Sequence, residues 1–173
     1  ALREAMELTM RSAPAPHAVA RRRKIDRVRR TLASGAALAA VLGPEERPLR
    51  EQADAMDVAD PRVAWLLSQA PRWRDAKEKT LVFVAHRETL EMLRTALTNR
   101  AQIANGVFHE ELSAARRDTV VARFREADGP SMLVSTESGG EGRNFEFCRR
   151  IVLFDLPWKP PVVEQRIGRL DRI

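Results

Sequence analysis

Short apolar runs alternate with helix-length segments through residues 81–167, and this alternation constrains the fold more than any other feature of the chain. Segments at 89–97 and 113–125 have apolar residues at helical spacing, and a further helix is predicted from Pro161. Strands that alternate with helices of this length form a parallel sheet with helices on both faces, so we predict an α/β fold. The predicted strands are residues 81–85, 103–108, 132–134 and 151–154.

The first 60 residues contain no strand-like run. Residues 18–42 are rich in Ala and Arg with apolar residues near helical spacing, which predicts one basic amphipathic helix that ends at Gly43-Pro44. Residues 44–60 are acidic, hold two prolines and lack periodicity, so a loop or insertion is predicted there. We therefore divide the chain into a partly flexible helical segment at 1–60 and an α/β domain at 61–173.

The charge of the chain is unevenly distributed. The 173 residues carry 30 Lys and Arg against 24 Asp and Glu, a net charge of +6. Residues 1–30 account for +6, residues 31–60 for −4 and residues 61–173 for +4. A basic balance favours a polyanionic partner as a general expectation, although an excess of Arg over Lys can also reflect genome composition.

Several classes of protein are excluded by composition. The single cysteine, Cys148, rules out a disulfide framework and a cysteine-cluster metal site, and we expect no metal site. No apolar run approaches the roughly 20 residues of a membrane span. The chain also lacks a signal-type apolar stretch near its start, so we expect an intracellular, cytoplasmic protein with no membrane partner.

Ligands of an open parallel sheet bind beyond the carboxyl ends of its strands. Glycines fill three of the four positions 139–142, so backbone N–H groups there can approach a ligand, and the Ser135 and Thr136 hydroxyls can contact phosphate. Neither Gly-Lys-Ser/Thr nor GxGxxG occurs in the chain, which excludes a Walker A loop and a dinucleotide loop. A flexible loop without a ligand is the alternative. The rule singles out residues 86–87, 109, 135–144 and 155–158.

A second candidate segment lies near the end of the chain. On a helix, Gln165, Arg169 and Arg172 share one face. Two guanidinium groups on one face suit a polyphosphate. A solvated face with Asp171 as a salt-bridge partner is the alternative, and spacing alone leaves both interpretations open.

The order of the motifs resembles a known family. The chain contains, in sequence, LVFVAHRETLEML, VFHEELSAARRDTVVARF, MLVSTESGGEGRNFEF and IVLFDLPWKPPVVEQRIGRLDRI. This order resembles the second RecA-like lobe of superfamily-two helicases and translocases, over about residues 77–173. The elements GGEGRN, DLPW and EQRIGRLDRI are similar to the Swi/Snf branch rather than to the DEAD-box branch. The pieces EGRNFEF and DPRVAWLL most resemble the RapA type, the RNA-polymerase-associated ATPases of bacteria.

Two positions depart from the broad Swi/Snf pattern. Arg143 stands where Leu or Ile is usual, which suits the RapA type, and Lys159 stands where Asn is usual. The chain also stops at Ile173, where the last motif of the family would continue. We therefore expect a fragment of a larger protein, with residues 1–60 as a linker or an insertion between two lobes.

The resemblance implies a role for each part of the second candidate segment. In this family ATP binds between two lobes, and the first lobe supplies the phosphate loop and most of the Mg²⁺ ligands. Arg169 and Arg172 match the two arginines of the final motif, which implies arginine fingers that meet charge on the γ-phosphoryl group. The residues implied to contact ATP are Gln165, Glu141, Gly142 and Asn144.

The resemblance also implies a nucleic-acid track. Ser135 and Thr136 match the part of the family motif that touches a nucleic-acid phosphate, while His86 and Arg87 follow a strand whose end faces the nucleic acid. The implied function is the C-terminal motor lobe of an ATP-dependent translocase. Its implied partners are double-stranded DNA or another nucleic acid, RNA polymerase, and the first lobe of the same chain.

Two other functions remain open from the sequence. The first is a RecA-like module that binds nucleic acid or a protein partner without ATP chemistry. The second is a small-molecule α/β enzyme whose glycine-rich loop holds a phosphorylated substrate.

Overall fold

A four-stranded parallel sheet forms the centre of the fold. The computed structural model describes residues 2–136, 145–157 and 160–168. The strands lie in the order β2-β3-β1-β4, and both neighbours of the central strand β1 run parallel to it. The predicted strands are confirmed with bounds that shift by at most two residues. The strands are β1 (Thr80–Val84), β2 (Asn105–Phe108), β3 (Met132–Thr136) and β4 (Arg150–Leu153).

Eight α-helices lie within the described ranges. Asp60 caps the fifth helix by accepting a hydrogen bond from the Arg62 N–H (2.8 Å), and Ser113 caps the seventh, both residue types that favour a helix start. None of the helices among these residues is long and apolar enough to cross a membrane. The helices are α1 (Leu2–Ser12), α2 (Ala18–Ala33), α3 (Gly35–Ala39), α4 (Arg47–Val58), α5 (Pro61–Asp75), α6 (Arg87–Ala101), α7 (Ala114–Arg125) and α8 (Pro160–Ile167).

The sheet is covered on both faces. Val82 and Val84 face the side on which α5 and α6 pack. Leu81 and Phe83 face the opposite side, where they pack in one cluster with Phe124 of α7. Every residue of β1 is buried, which explains why that strand reads as a continuous apolar run rather than an alternating one. The predicted α/β architecture is therefore confirmed, and a helical N-terminal segment precedes it.

The N-terminal helices have an apolar core of their own. Met6 and Met10 of α1 pack there with Leu38, Ala53 and Met56. The loop predicted for residues 44–60 is wrong over most of its length, because residues 47–58 form α4. The prolines do not break this helix, since one precedes it and the other lies in its first turn, where its missing N–H costs no hydrogen bond.

The single helix predicted for residues 18–42 is also wrong, because the chain breaks at Ser34. Ser34 is extended, and its buried hydroxyl caps α3 by accepting from the Ala37 N–H (3.0 Å). The Asp57 carboxylate of α4 accepts from the N–H groups of Gly35 (2.6 Å) and Ala36 (2.7 Å). Two side chains distant in sequence from each other thus satisfy the first turn of α3, and this turn lies directly against α4.

We expect Gly35→Ala to lower the free energy of unfolding by about 1–3 kcal/mol, the usual cost of overpacking a core. A Cβ at this position would lie 1.8 Å from the Ala53 carbonyl oxygen, so α3 and α4 would have to move apart. Urea denaturation followed by circular dichroism measures the change. Gly106→Ala is the matched comparison, because its added Cβ would meet the flexible end of Leu133 at 3.0 Å. An equal loss for both variants would contradict the close approach of the two helices.

Candidate functional site

The carboxyl ends of the strands divide the predicted nucleic-acid residues into two groups. Ser135 and Thr136 end β3, which lies between β2 and β1, whereas His86 follows β1 and lines a groove with Asp155, directly after β4. Arg87 begins α6 and forms an ion pair with Glu111, in the loop after β2. The structure therefore places Arg87 toward the β2 end and His86 toward the β4 end.

The hydroxyl groups at the end of β3 have partners inside the protein. Ser135 is fully buried, and its Oγ donates to the Thr136 carbonyl oxygen (2.8 Å). The Thr136 Oγ1 donates to the Glu110 carboxylate (2.7 Å). Backbone and Thr136 hydrogen bonds lower the pKa of Glu110, so this carboxylate is anionic at neutral pH. A phosphate at Thr136 would have to displace Glu110, and phosphate contact by these two residues stays a prediction.

A groove lies at the carboxyl ends of β1 and β4, and we call it the strand-end groove. Its volume is about 1140 Å³. It brings together His86, predicted to face nucleic acid, and Gln165, predicted to contact ATP. Four arginines and one carboxylate line it together with apolar groups. The lining residues are Arg3, Arg29, Leu32, Ala33, Arg62, Ala85, His86, Leu153, Phe154, Asp155, Leu156, Pro157, Val162, Gln165 and Arg166.

Asp155 joins the two sides of the strand-end groove. Its Oδ2 accepts from the Ala85 N–H (2.8 Å), which ties the end of β4 to the turn between β1 and α6. Its Oδ1 lies 3.8 Å from Nη1 of Arg166 on α8. Burial raises the pKa of Asp155, while the Ala85 hydrogen bond and the Arg166 charge oppose that rise. This carboxyl group is therefore in contact with both α8 and the residue that precedes His86.

Arg166 holds α8 against the sheet. It is only 1% exposed, its Nη1 donates to the Asp155 carbonyl oxygen (3.2 Å), and its guanidinium carbon lies 5.3 Å from the centre of the Phe83 ring. The next residue toward the N-terminus, Gln165, is exposed and lines the groove. Burial, with a smaller effect of Arg30, lowers the pKa of His86, so the ring facing the same groove is neutral at pH 7.

Five predicted site residues lie outside the described residues. They are Arg169 and Arg172, predicted as arginine fingers, and Glu141, Gly142 and Asn144, predicted to contact ATP. Their roles stay predictions. Among the residues that the structure describes, no group of three His, Cys, Asp or Glu side chains could hold a metal ion.

Arg62 is a residue of the groove that the sequence reasoning missed. Its guanidinium donates to the carbonyl oxygens of Leu32 (3.2 Å), Ala33 (2.7 Å) and Phe154 (3.1 Å). It also lies 4.3 Å from the centre of the Phe154 ring and 2.6 Å from the Asp60 carboxylate. One side chain thus joins the end of α2 to the end of β4, directly before Asp155.

Asp60 balances the charge of Arg62. Its side chain is 1% exposed, and Arg3 of α1 also approaches it (3.6 Å). Burial alone would raise the pKa of Asp60, but hydrogen bonds from Arg62 and the charges of Arg62 and Arg3 hold it below its usual value. In the sequence, the position of Asp60 directly before Pro61 indicates only a helix cap. Asp155, in contrast, belongs to a segment that follows a predicted strand, and that position was a usable signal.

A parallel sheet with a charged groove at its strand ends and an arginine-bearing helix above it defines the class of a RecA-like lobe. The helicase conserved C-terminal domain family matches residues 62–173. The chain belongs to this family.

Curated relatives and solved structures agree with this assignment. The chain is 50% identical over 115 residues to the RNA polymerase-associated protein RapA of Serratia proteamaculans and 47% identical to that of Pseudomonas fluorescens. Each match covers 66% of this chain but only 12% of the relative's length.

The solved structures show the fold. The C-terminal part of the Fun30 ATPase domain matches with a TM-score of 0.66 at 14% identity, over 100% of this chain and 77% of that one. The SWI2/SNF2 ATPase core of Sulfolobus solfataricus in complex with double-stranded DNA also gives 0.66, at 16% identity, over 99% of this chain and 34% of that one. The predicted resemblance to the second RecA-like lobe of Swi/Snf-type ATPases, and to the RapA type, is confirmed.

We expect Arg62→Ala to lower the free energy of unfolding by about 3 kcal/mol at pH 7, because it leaves the buried Asp60 charge with less compensation. The loss should shrink as the pH falls toward 3. In the wild type the lowered pKa of Asp60 makes this group stabilising above about pH 4, and that stabilisation is lost as the carboxylate is protonated. In the variant, protonation instead removes a poorly compensated buried charge.

Arg74→Ala on the same helix is the control, since Arg74 is exposed and its ion pair within the described part of the chain is with exposed Asp75. It should change stability by less than about 0.5 kcal/mol. If Arg62→Ala lowers the free energy of unfolding as little as Arg74→Ala does, the contacts of Arg62 do not hold α2 and β4 together.

Proposed function

We propose that this chain is the second motor lobe of an ATP-dependent nucleic-acid translocase of the Swi/Snf type. Membership of the helicase C-terminal family and the similarity to RapA support the proposal. The observation that carries it is the position of Asp155, which contacts both Arg166 on α8 and the backbone directly before His86. A movement of α8 on ATP binding would therefore displace Asp155, and with it the backbone at the end of β1, where nucleic acid would bind.

ATP and Mg²⁺ are the proposed substrate and cofactor of the whole protein. Arg169 and Arg172 would meet the charge that develops on the γ-phosphoryl oxygens, with Gln165, Glu141, Gly142 and Asn144 as further ATP contacts. Mg²⁺ would be held mainly by the first lobe, which supplies the phosphate loop.

Nucleic acid would lie along the carboxyl ends of the strands. His86, Arg87, Ser135 and Thr136 are the proposed contacts, with double-stranded DNA as the first choice of track. Because such contacts are mainly to phosphate, binding would depend on salt more than on sequence. The similarity to RNA polymerase-associated proteins supports action on RNA polymerase complexes in the cytoplasm, with residues 1–60 as a helical link or insertion between the lobes.

In the full-length protein, we expect Arg169→Ala and Arg172→Ala each to lower kcat for ATP hydrolysis by about a thousandfold, the lower end of the effect of an arginine finger. Nucleotide affinity should change much less, because the interaction forms in the transition state. Steady-state ATPase kinetics and binding of a fluorescent ATP analogue separate the two effects.

The control is Arg149→Ala, an exposed arginine outside the strand-end groove, which should leave kcat unchanged. The 173-residue chain alone should not hydrolyse ATP, because it contains no Gly-Lys-Ser/Thr phosphate loop. Turnover by this chain alone, or full turnover by both arginine variants, would show that the arginine-finger assignment is wrong.

Asp155→Asn tests the connection between the two ligands. An Asn oxygen can still accept from the Ala85 N–H, but it offers Arg166 no charge. We expect DNA and nucleotide to bind with near wild-type affinity, while stimulation of the ATPase by DNA falls about tenfold, within the usual range of coupling free energies. Asp128→Asn is the control because its side chain is 79% exposed. Unchanged stimulation in Asp155→Asn would remove the observation on which the proposal rests.

A further inference from the structure

A second groove lies between α1 and α2, and we call it the α1–α2 groove. Its volume is about 600 Å³. The α2 residues that line it recur at positions 21, 24, 25, 28 and 29, which is one face of a helix. Apolar side chains form part of its floor, and cations surround them. The lining residues are Arg11, Ala15, Arg21, Lys24, Ile25, Val28 and Arg29.

The charge of the α1–α2 groove has one sign. Of the described residues that line it, four are cations and none is a carboxylate. Arg11 is paired with Glu7 on α1 (2.5 Å), so its charge is partly neutralised. Within the described part of the chain, the structure gives Arg21 and Lys24 no ion pair, in contrast to Arg27 and Arg30 on the other side of α2.

Arg29 lines both grooves. The two surfaces are therefore neighbours. In the strand-end groove Arg3 and Arg62 contact Asp60 and Arg166 contacts Asp155, whereas the structure gives Arg21 and Lys24 of the α1–α2 groove no ion pair among the described residues. Arg21 and Arg29 are eight residues apart, about 12 Å along a helix, which equals the axial rise of about three to four phosphates on one strand of B-DNA. An extended ligand of uniform negative charge fits this arrangement better than a short anion does.

We propose that the α1–α2 groove extends the nucleic-acid path from the strand-end groove along α2, with Arg21, Lys24 and Arg29 as phosphate contacts. The inference rests on the proposed function, since it requires nucleic acid at the strand ends. The contacts are electrostatic and carry no base specificity. The N-terminal helices thus contribute to holding the track, besides supporting the sheet.

The test is the double variant Arg21→Gln/Lys24→Gln in the full-length protein, with double-stranded DNA of random sequence as the probe. Affinity is measured by fluorescence anisotropy at several salt concentrations. Removal of two phosphate contacts should weaken binding at low salt and reduce the magnitude of the slope of log K against log salt by about 1.8. Basal ATP hydrolysis without DNA should stay at the wild-type level.

The matched control is Arg23→Gln/Arg72→Gln, which also removes two charges, from exposed positions that line neither groove. An equal loss of slope in both double variants would mean that only the total charge matters, and it would overturn the inference. Wild-type affinity and slope in the groove variant would overturn it as well. If that variant instead loses binding to RNA polymerase, the groove is a docking surface for an acidic protein segment. If the wild-type protein itself binds no DNA, the proposed function fails together with this inference.

Discussion

The guanidinium of Arg62 is the interaction on which the arrangement of the two parts of the chain depends. It donates to two carbonyl oxygens at the end of α2 and to one at the end of β4. The last carbonyl groups of a helix have no hydrogen-bond partner within the helix, and Arg62 supplies one to Leu32 and Ala33. Asp60 keeps the charge of Arg62 compensated, and it also caps the helix that carries Arg62. The Asp60–Arg62 ion pair therefore connects the start of α5 with the end of α2 and the end of β4.

The contacts of Arg62 also bear on the position of α8. Arg62 bonds the carbonyl of Phe154, and Asp155 is the next residue. Asp155 then holds Arg166, which is almost fully buried and lies over Phe83 of the central strand. A buried arginine costs desolvation free energy unless a carboxylate and carbonyl oxygens are placed for it. The buried charge of Arg166 therefore depends on Asp155. Asp155 in turn directly follows Phe154, whose carbonyl oxygen accepts from Arg62, 92 residues earlier in the chain.

The sequence predicted the sheet well because its signals are local. A strand buried on both faces is a run of apolar residues, and a cap such as Ser113 or Asp60 lies next to the helix it begins. The N-terminal segment was predicted less well. Ser34 ends one helix and begins another where its hydroxyl meets Thr89 and where Asp57 accepts from the next two backbone N–H groups, and no local pattern contains those contacts.

The candidate site divides in the same way. His86 and Gln165 were predicted separately, one from a strand end and one from a helical face, and the structure places both at one groove. Arg62 could not be predicted, because its role depends on carbonyl groups about 30 and 92 residues away in sequence. The hydroxyls of Ser135 and Thr136 were predicted by position, but their internal partners depend on side-chain packing that position does not determine.

The uneven charge of the chain has a structural cause that links these observations. Residues 31–60 carry a net charge of −4, yet three of their six acids make contacts within the fold. The Glu46 carboxylate accepts hydrogen bonds from Nη1 and Nη2 of Arg27 (2.6 Å each). Asp57 accepts from the first turn of α3, and Asp60 pairs with Arg62. The Glu46 contact neutralises Arg27 on the inner side of α2, whereas Arg21 and Lys24 on its outer face have no ion pair among the residues that the structure describes. These three acids of residues 31–60 therefore meet cations and N–H groups at the inner contacts of the helices, and the charges of Arg21 and Lys24 remain at the α1–α2 groove.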